Sequence, residues 1–190
     1  MKARENPFRT ERVHAVRFRL AGTTWGELMG RLASLGHRAA IVGPDGSGKT
    51  TLLERLEPRL ADAGLTAHWL HVSNERRRLP KGTLARLLAR LGDRDVILFD
   101  GADLMGALAW RRLRRRSTHG AGLIVTSHRP GLLPTLLECR TTPELLADIV
   151  AELVPGQIAE LRPRIPALFE KHGGDLRLAL RELYDLYAER

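Results

Sequence analysis

The sequence is poor in cysteine, in aromatic residues and in long apolar runs. Its single cysteine, Cys139, excludes an internal disulfide and a metal site built from several cysteines. A reduced, cytoplasmic setting fits this composition best. No apolar run approaches the roughly 18 residues of a membrane-spanning helix, and residues 1–20 lack the apolar stretch of a signal peptide. We therefore expect neither a membrane span nor a secreted, disulfide-stabilised fold.

Positive charge is what the chain has in excess. Thirty-one lysines and arginines against 22 acidic residues give a net charge of +9 over 190 residues. Such a surface favours polyanions, including nucleotides, nucleic acids and acidic membrane faces, and it is equally compatible with a basic protein that has no polyanionic partner. The hydrophobic fraction of 43% is sufficient for a sizeable core.

The pattern of apolar residues divides the chain into three parts. Residues 1–38 form an entry segment, in which alternation over 13–20 predicts a half-exposed strand and Thr24 is placed to cap a helix. Residues 39–142 alternate strands with helices, which predicts a parallel-sheet core of three layers, α/β/α, with right-handed crossovers. Residues 143–190 read as a small helical appendage.

Within the core, we predict strands and helices from this alternation. The strands are expected over 39–42, 65–72, 96–99, 123–126 and 136–141. The helices are expected over 49–63, 81–91 and 103–116. In the appendage, helices are expected over 144–153, 157–172 and 175–189.

A glycine-rich loop follows the first strand of the core and precedes a helix. It matches G-x-x-x-x-G-K-[ST], and its residues are Gly43, Pro44, Asp45, Gly46, Ser47, Gly48, Lys49, Thr50 and Thr51. Glycines let backbone N–H groups turn inward around an anion, and the positive end of the helix dipole points at the same place. We expect Lys49 to reach the β- and γ-phosphates of a nucleoside triphosphate, and Thr50 to supply an oxygen to Mg²⁺.

A second candidate residue, Asp100, ends the apolar run of residues 96–99. Ligands of open parallel sheets bind at the carboxyl ends of the strands. Asp100 is therefore placed to hold Mg²⁺ about fifty residues after the phosphate loop.

These two motifs resemble those of the P-loop NTPases, over residues 39–142. The complete strand–helix unit between the two motif strands is similar to the additional-strand branch, which includes AAA+, RecA-like and ABC ATPases. ABC ATPases use a glutamine between the motifs, whereas Gln157 is the only glutamine here. The Asn-Lys-x-Asp string of GTPases is absent from the sequence. The chain most resembles an AAA+-type ATPase, which implies ATP and Mg²⁺ as ligands and is compatible with a homo-oligomer.

The resemblance also suggests roles for residues outside the phosphate loop. Thr126 ends the fourth strand, where the family places a polar sensor of the γ-phosphate. The string Gly-Asp-Leu-Arg ending at Arg177 is similar to the start of a lid helix whose arginine reaches the nucleotide; Arg177 could equally be an exposed helix arginine. The branch carries a catalytic glutamate after the magnesium aspartate, but this position is Gly101. Asp103 is the nearest carboxylate, placed either to polarise water or to cap a helix.

Two basic clusters are candidate partner surfaces. Residues 74–81 lie between the second strand and the second helix, and residues 110–116 end the third helix, at the opposite edge of the sheet. The first could grip a phosphate backbone, and both could be solvated surface. His68 and His71 fall on opposite faces of a predicted strand, so a metal pair is not expected there.

Three functions remain open from the sequence. The first is a slow ATPase or ATP-dependent switch of AAA+-like type that acts on a macromolecular partner. The second is a small-molecule or nucleotide kinase. The third is a nucleic-acid-binding module whose affinity is regulated by ATP.

Overall fold

The computed structural model describes residues 3–16, 18–20, 22–75, 79–117 and 121–189. They divide into two compact units. The helical unit comprises Met1–Arg19, Pro44–Gly48 and Arg140–Arg190, and the sheet unit comprises Leu20–Gly43 and Lys49–Cys139. The loop residues Pro44–Gly48 thus group with the C-terminal helices. The predicted domain boundary near residue 142 stays a prediction.

The secondary-structure elements are numbered along the chain. The strands are β1 Arg38–Val42, β2 Thr66–His71, β3 Asp95–Asp100, β4 Gly122–Ser127 and β5 Thr135–Glu138. The α-helices are α1 Thr10–Ala15, α2 Trp25–Ser34, α3 Lys49–Asp62, α4 Thr83–Leu88, α5 Ala107–Arg116, α6 Pro143–Leu153, α7 Ile158–Leu161, α8 Ile165–Lys171 and α9 Leu176–Ala188. Short 3-10 helices cover Ala3–Glu5, Ala102–Leu104 and Arg162–Arg164.

The sheet unit is built on one parallel sheet. Its strand order is β2-β3-β4-β1-β5, and all neighbouring pairs are parallel. The strand β4 therefore lies between β1, which leads into the phosphate loop, and β3, which ends at Asp100. Because parallel strands share the direction of their carboxyl ends, the residues after β1, β3 and β4 are brought to one edge of the sheet.

Both faces of this sheet are buried, as expected for an α/β layer. On one face, Ile97, Phe99 and Val125 pack in a cluster with side chains of α4 and α5. The alternate residues, such as Leu98 and Ile124, point to the other face and are also fully buried. Buried side chains on both faces fix the register of the central strands, since a one-residue slip would exchange the two faces.

The helical unit has its own apolar cluster. Leu146 and Val150 of α6 pack with Leu176, Leu180 and Leu183 of α9. These three leucines of α9 form one buried apolar stripe. Phe8 belongs to the same cluster, and its ring contacts Tyr187 edge-on at 5.0 Å between centroids.

Local capping explains several helix boundaries. Thr24 caps α2 as predicted, and its side chain and that of Glu27 form a reciprocal capping box. Gly36, with φ of 62°, follows the end of that helix. Thr142 caps α6 by accepting from Leu145 N.

Three of the predicted elements were wrong in extent or type. The strand expected over 13–20 does not form, because Val13 and Val16 pack three residues apart against the helical cluster. Residues 13–15 belong to the helix α1, and residues 16 and 18–20 lie outside any helix or strand. The helix expected over 103–116 is broken at Met105 and Gly106. The helix expected over 157–172 is three short helices, consistent with its two prolines.

No helix within the described residues is long and apolar enough to cross a membrane.

Candidate functional site

The phosphate loop depends on glycine where its backbone turns. Gly46 and Gly48 have φ of 68° and 83°, a region that other residues rarely adopt. The Ser47 hydroxyl is buried and donates to the carbonyl oxygen of Pro44 at 2.8 Å. These features close the loop on itself and leave little freedom for substitution at its glycines.

In the helical unit, the loop lies against two neighbours that the sequence did not reveal. A Cβ at Gly46 would overlap the carboxylate of Asp175, which caps α9. A Cβ at Gly48 would lie 3.0 Å from the Phe18 ring. Such contacts join residues far apart in the chain, and no local pattern indicates them.

In the sheet unit, the residues after the loop begin helix α3. The ammonium group of Lys49 donates to the carbonyl oxygen of Gly43 at 2.8 Å. The hydroxyl of Thr50 donates to Asp100 Oδ2 at 3.0 Å. The two side chains expected to bind one Mg²⁺ ion, fifty residues apart in sequence, are thus brought into direct contact.

Asp100 is the most connected carboxylate of the site, and it is 7% exposed. Besides Thr50, it accepts from the Thr126 hydroxyl at 2.6 Å and lies 3.1 Å from His71 Nδ1. His71 was not predicted here. Its position follows from the parallel register of β2 and β3, which pairs His71 with Asp100, and that register cannot be derived from the local pattern.

The hydroxyl of Thr126 is used twice. It donates to Asp100 and accepts from the backbone N–H of Gly101 at 2.8 Å. Thr126 is 1% exposed. In this structure Thr126 holds the Asp100 carboxylate in position, and its expected role as a sensor of the γ-phosphate stays a prediction.

The backbone of Gly101 excludes a side chain. Its φ is 83°, and an added Cβ would overlap the carbonyl oxygen of Val72 and lie 3.2 Å from its carbonyl carbon. The glutamate that the AAA+-like resemblance places here could not be accommodated without moving the backbone.

Asp103 does not cap a helix, which was one of the two roles expected for it. It lies inside the short 3-10 helix, and neither that helix nor α5 has a side-chain cap from it. Its Oδ2 instead accepts from the backbone N–H of His128 at 3.1 Å and lies 2.6 Å from His128 Nδ1. The cap interpretation of Asp103 is therefore wrong, because its carboxylate is turned toward the end of β4.

Arg177 lies in the first turn of α9, beside the cap. Asp175 accepts from Arg177 N at 2.9 Å and Leu178 N at 3.1 Å, and it thereby caps α9. The Arg177 guanidinium lies 3.5 Å from Asp175 Oδ2, and its side chain is 72% exposed. A role for Arg177 in nucleotide binding stays a prediction.

The basic clusters are only partly described. Residues 76–78 of the first cluster lie outside the described residues. In the second, α5 ends beside the start of β1, where Arg38 donates to the Ser117 carbonyl oxygen at 2.7 Å. This places the end of α5 at the edge opposite to the phosphate loop, as predicted. Arg111, Arg112 and Arg115 line an open depression with Leu88 and Leu108.

Cys139 follows β5 and is buried. Burial raises the pKa of its thiol to about 11, against the opposing effect of the Lys49 charge. Cys139 is thus a packed thiol and not a reactive one. Among the described residues, no group of three His, Cys, Asp or Glu side chains could hold a metal ion by itself.

Comparison with solved structures identifies the fold. The structure is similar to two point variants of RuvB from Thermotoga maritima, with a TM-score of 0.53 for each. Sequence identity is 17% and 15%, and the matches cover 84% of this chain and 60% and 61% of the RuvB chains. RuvB is an AAA+ ATPase. The chain shares the α/β fold of these RuvB structures.

The predicted α/β fold with a parallel sheet and a helical C-terminal segment is therefore confirmed. At this level of identity the similarity shows the P-loop fold alone. The chain spans about three fifths of the length of the RuvB chains it matches. No protein-family model and no curated protein matches the sequence.

Proposed function

We propose that this protein binds ATP with Mg²⁺ through residues 43–51, and that it is a slow ATPase or ATP-dependent switch of AAA+-like type. The observation that carries the proposal is the 3.0 Å contact of Thr50 Oγ1 with Asp100 Oδ2. A loop motif and a strand-end aspartate each occur by chance in many proteins. Their direct contact at the carboxyl edge of a parallel sheet supports a shared phosphate and magnesium site.

The loop supplies the anion-binding part of the proposed site. Helix α3 begins at Lys49 and runs for 14 residues, so its N-terminal dipole favours a negatively charged ligand. In this structure the Lys49 ammonium group donates a hydrogen bond to the Gly43 carbonyl oxygen. On nucleotide binding it would exchange this neutral acceptor for phosphate oxygens, which form stronger, charge-assisted hydrogen bonds.

The donor set fits magnesium. Mg²⁺ prefers oxygen ligands and uses few protein side chains, with waters and phosphates completing its shell. Thr50 and Asp100 offer a hydroxyl and a carboxylate of this kind, and Thr126 and His71 contact the same carboxylate. When bound, Mg²⁺ would neutralise charge on the β- and γ-phosphates.

The strand order supports the additional-strand branch. The strand β4 lies between β1 and β3, so the two motif strands are not neighbours. This order agrees with the inserted strand–helix unit that the sequence indicated, and it favours an ATPase over a nucleotide kinase.

A nucleic-acid-binding module regulated by ATP is the second candidate. The residues that favour it are Arg111, Arg112 and Arg115, which share one depression of the α5 surface. Binding through these arginines should weaken steeply with salt, because phosphate contacts release counterions. Titration of labelled DNA and RNA at 50 and 200 mM salt would test this candidate, and affinity that is absent at both salts would exclude it.

The proposed magnesium site can be tested by a double-mutant cycle. Thr50→Val and Asp100→Asn should each weaken the Mg²⁺ dependence of ATP affinity, measured by calorimetry at graded Mg²⁺. Because both residues would serve one ion, the double variant should lose less than the sum of the single losses. Asp93→Asn, an exposed carboxylate before β3, is the matched control. Additive losses, or Mg²⁺ titrations that coincide with the parent, would contradict the assignment.

A further inference from the structure

The proposed hydrolysis lacks a base at its usual position. Gly101 follows Asp100 directly, and its backbone leaves no room for a side chain against Val72. Asp100 itself is committed to contacts with Thr50, Thr126 and His71. A proton acceptor for the attacking water must therefore be sought on neighbouring segments at the same edge of the sheet.

Apart from His71, whose Nδ1 faces the proposed metal ligand Asp100, one pair of described side chains at this edge has the required chemistry. Asp103 follows β3 by three residues, and His128 comes directly after β4. The Asp103 Oδ2 atom lies 2.6 Å from His128 Nδ1 and 3.1 Å from the donating His128 backbone nitrogen. Two hydrogen bonds to one carboxylate oxygen fix both the backbone and the ring of His128.

The chain segments at the ends of β3 and β4 are also joined at the Asp100 carboxylate. Thr126, two residues before His128, donates to Asp100, three residues before Asp103, at 2.6 Å. The backbone N–H of Gly101 closes this connection on the Thr126 hydroxyl. The Asp103–His128 pair therefore belongs to the hydrogen-bonded end of β3 and β4 that also positions Asp100. It is half-buried, with side-chain exposures of 27% for Asp103 and 33% for His128.

We propose that His128 is the general base of ATP hydrolysis, with Asp103 as its positioning residue. With Nδ1–H donated to Asp103, the neutral imidazole has the tautomer whose Nε2 can accept a proton. The water oxygen would attack the γ-phosphorus as the bond from that phosphorus to the bridging oxygen breaks. The electron pair would leave with ADP, and the water proton would pass to Nε2. Asp103 stabilises the imidazolium that forms.

This proposal rests on the proposed function and refines it, because it moves the base from Asp103 to His128. A carboxylate that accepts two hydrogen bonds from His128 is a weaker proton acceptor for water than one without them. The alternative is that Asp103 only fastens the turn after β4. That structural role would predict equal effects of a variant on stability and on turnover.

The experiment compares ATP affinity with single-turnover hydrolysis, using the full chain in excess over labelled ATP. His128→Gln should lower the hydrolysis rate about 100-fold or more, within the range for loss of a general base, with ATP affinity retained. His128→Gly should recover activity when imidazole is added. His68→Gln is the matched control, because His68 is also a histidine paired with an aspartate: its Nε2 lies 2.7 Å from Oδ1 of Asp95, the first residue of β3. The His68→Gln variant should hydrolyse ATP at the rate of the parent.

The positioning residue needs its own test. Asp103→Asn should lower kcat with little change in KM, and Asp103→Glu should restore part of the rate, because a carboxylate can again accept from the ring. A purely structural Asp103 would instead lower the melting temperature without separating kcat from KM.

Several results would overturn the proposal. Parental turnover in His128→Gln would do so, as would a loss of ATP affinity as large as the loss of rate, which would make His128 a binding residue. A parent protein that binds ATP but shows no turnover would refute the base assignment and leave ATP binding intact. A parent that does not bind ATP would refute the proposed function itself.

Discussion

Substitution of Gly101 by alanine tests whether the backbone conformation at this position is what excludes the glutamate expected there. At a φ of 83° a residue with a Cβ is strained, at a cost of about 1–2 kcal/mol. The added methyl group would also overlap the Val72 carbonyl oxygen, and forced overpacking of this kind costs about 1–3 kcal/mol more. We therefore expect Gly101→Ala to lower the free energy of unfolding by about 2–5 kcal/mol in total.

Gly82 provides a control that separates the two contributions. Its φ is 79°, close to that of Gly101, but an added Cβ would have nothing within 4 Å. Gly82→Ala should therefore cost only the conformational part, about 1–2 kcal/mol. Both glycines lie in the sheet unit, as do the tryptophans Trp25, Trp69 and Trp110. Urea unfolding followed by tryptophan fluorescence thus reports on the unit that carries the change.

Equal losses in the two variants would refute the steric argument. The same steric exclusion should limit activity: Gly101→Glu should lose stability in the same way and should gain no ATPase activity. An active and stable Gly101→Glu variant would show that the position accepts the usual glutamate after all.

Three further predictions concern other residues of the site. Thr126→Val should lower the free energy of unfolding by about 1–3 kcal/mol, because it leaves buried partners at Asp100 and Gly101 unsatisfied, whereas Thr126→Ser should retain most of it. Arg177→Ala should weaken ATP binding about tenfold more than ADP binding, if its charge interacts with the γ-phosphate; calorimetry showing equal effects would make it a surface arginine. Cys139 should react slowly with iodoacetamide at pH 8 in the folded protein and rapidly in urea, because burial raises the thiol pKa to about 11 and the thiolate is the reactive form.

Local patterns predicted the central features of the fold. The apolar runs before Gly43 and Asp100 predicted buried parallel strands, since strands covered on both faces carry few polar residues. The phosphate loop was evident because its chemistry demands particular residues at fixed spacing. Thr24 was predicted as a helix cap for the same reason, since a cap depends on residues three positions apart or fewer.

The parts of the site that depend on register were not predictable. His71 reaches Asp100 because β2 and β3 pair in one particular register, and His128 reaches Asp103 because two strand ends lie side by side. In the entry segment, basic residues between apolar ones suggested a strand where α1 forms. Packing of Val13 on the helical cluster decided that segment, and this contact is not local in sequence.

The central claim is that residues 43–51 bind ATP with magnesium. Its most direct test is calorimetric titration of ATP, in the presence of Mg²⁺, into the parent, Lys49→Ala and Lys81→Ala. Lys81 is an exposed lysine before α4, and its variant controls for the loss of one positive charge. We predict that the parent and Lys81→Ala bind ATP with equal affinity and that Lys49→Ala shows no measurable binding. Parental affinity in Lys49→Ala, or no binding by the parent, would contradict the account.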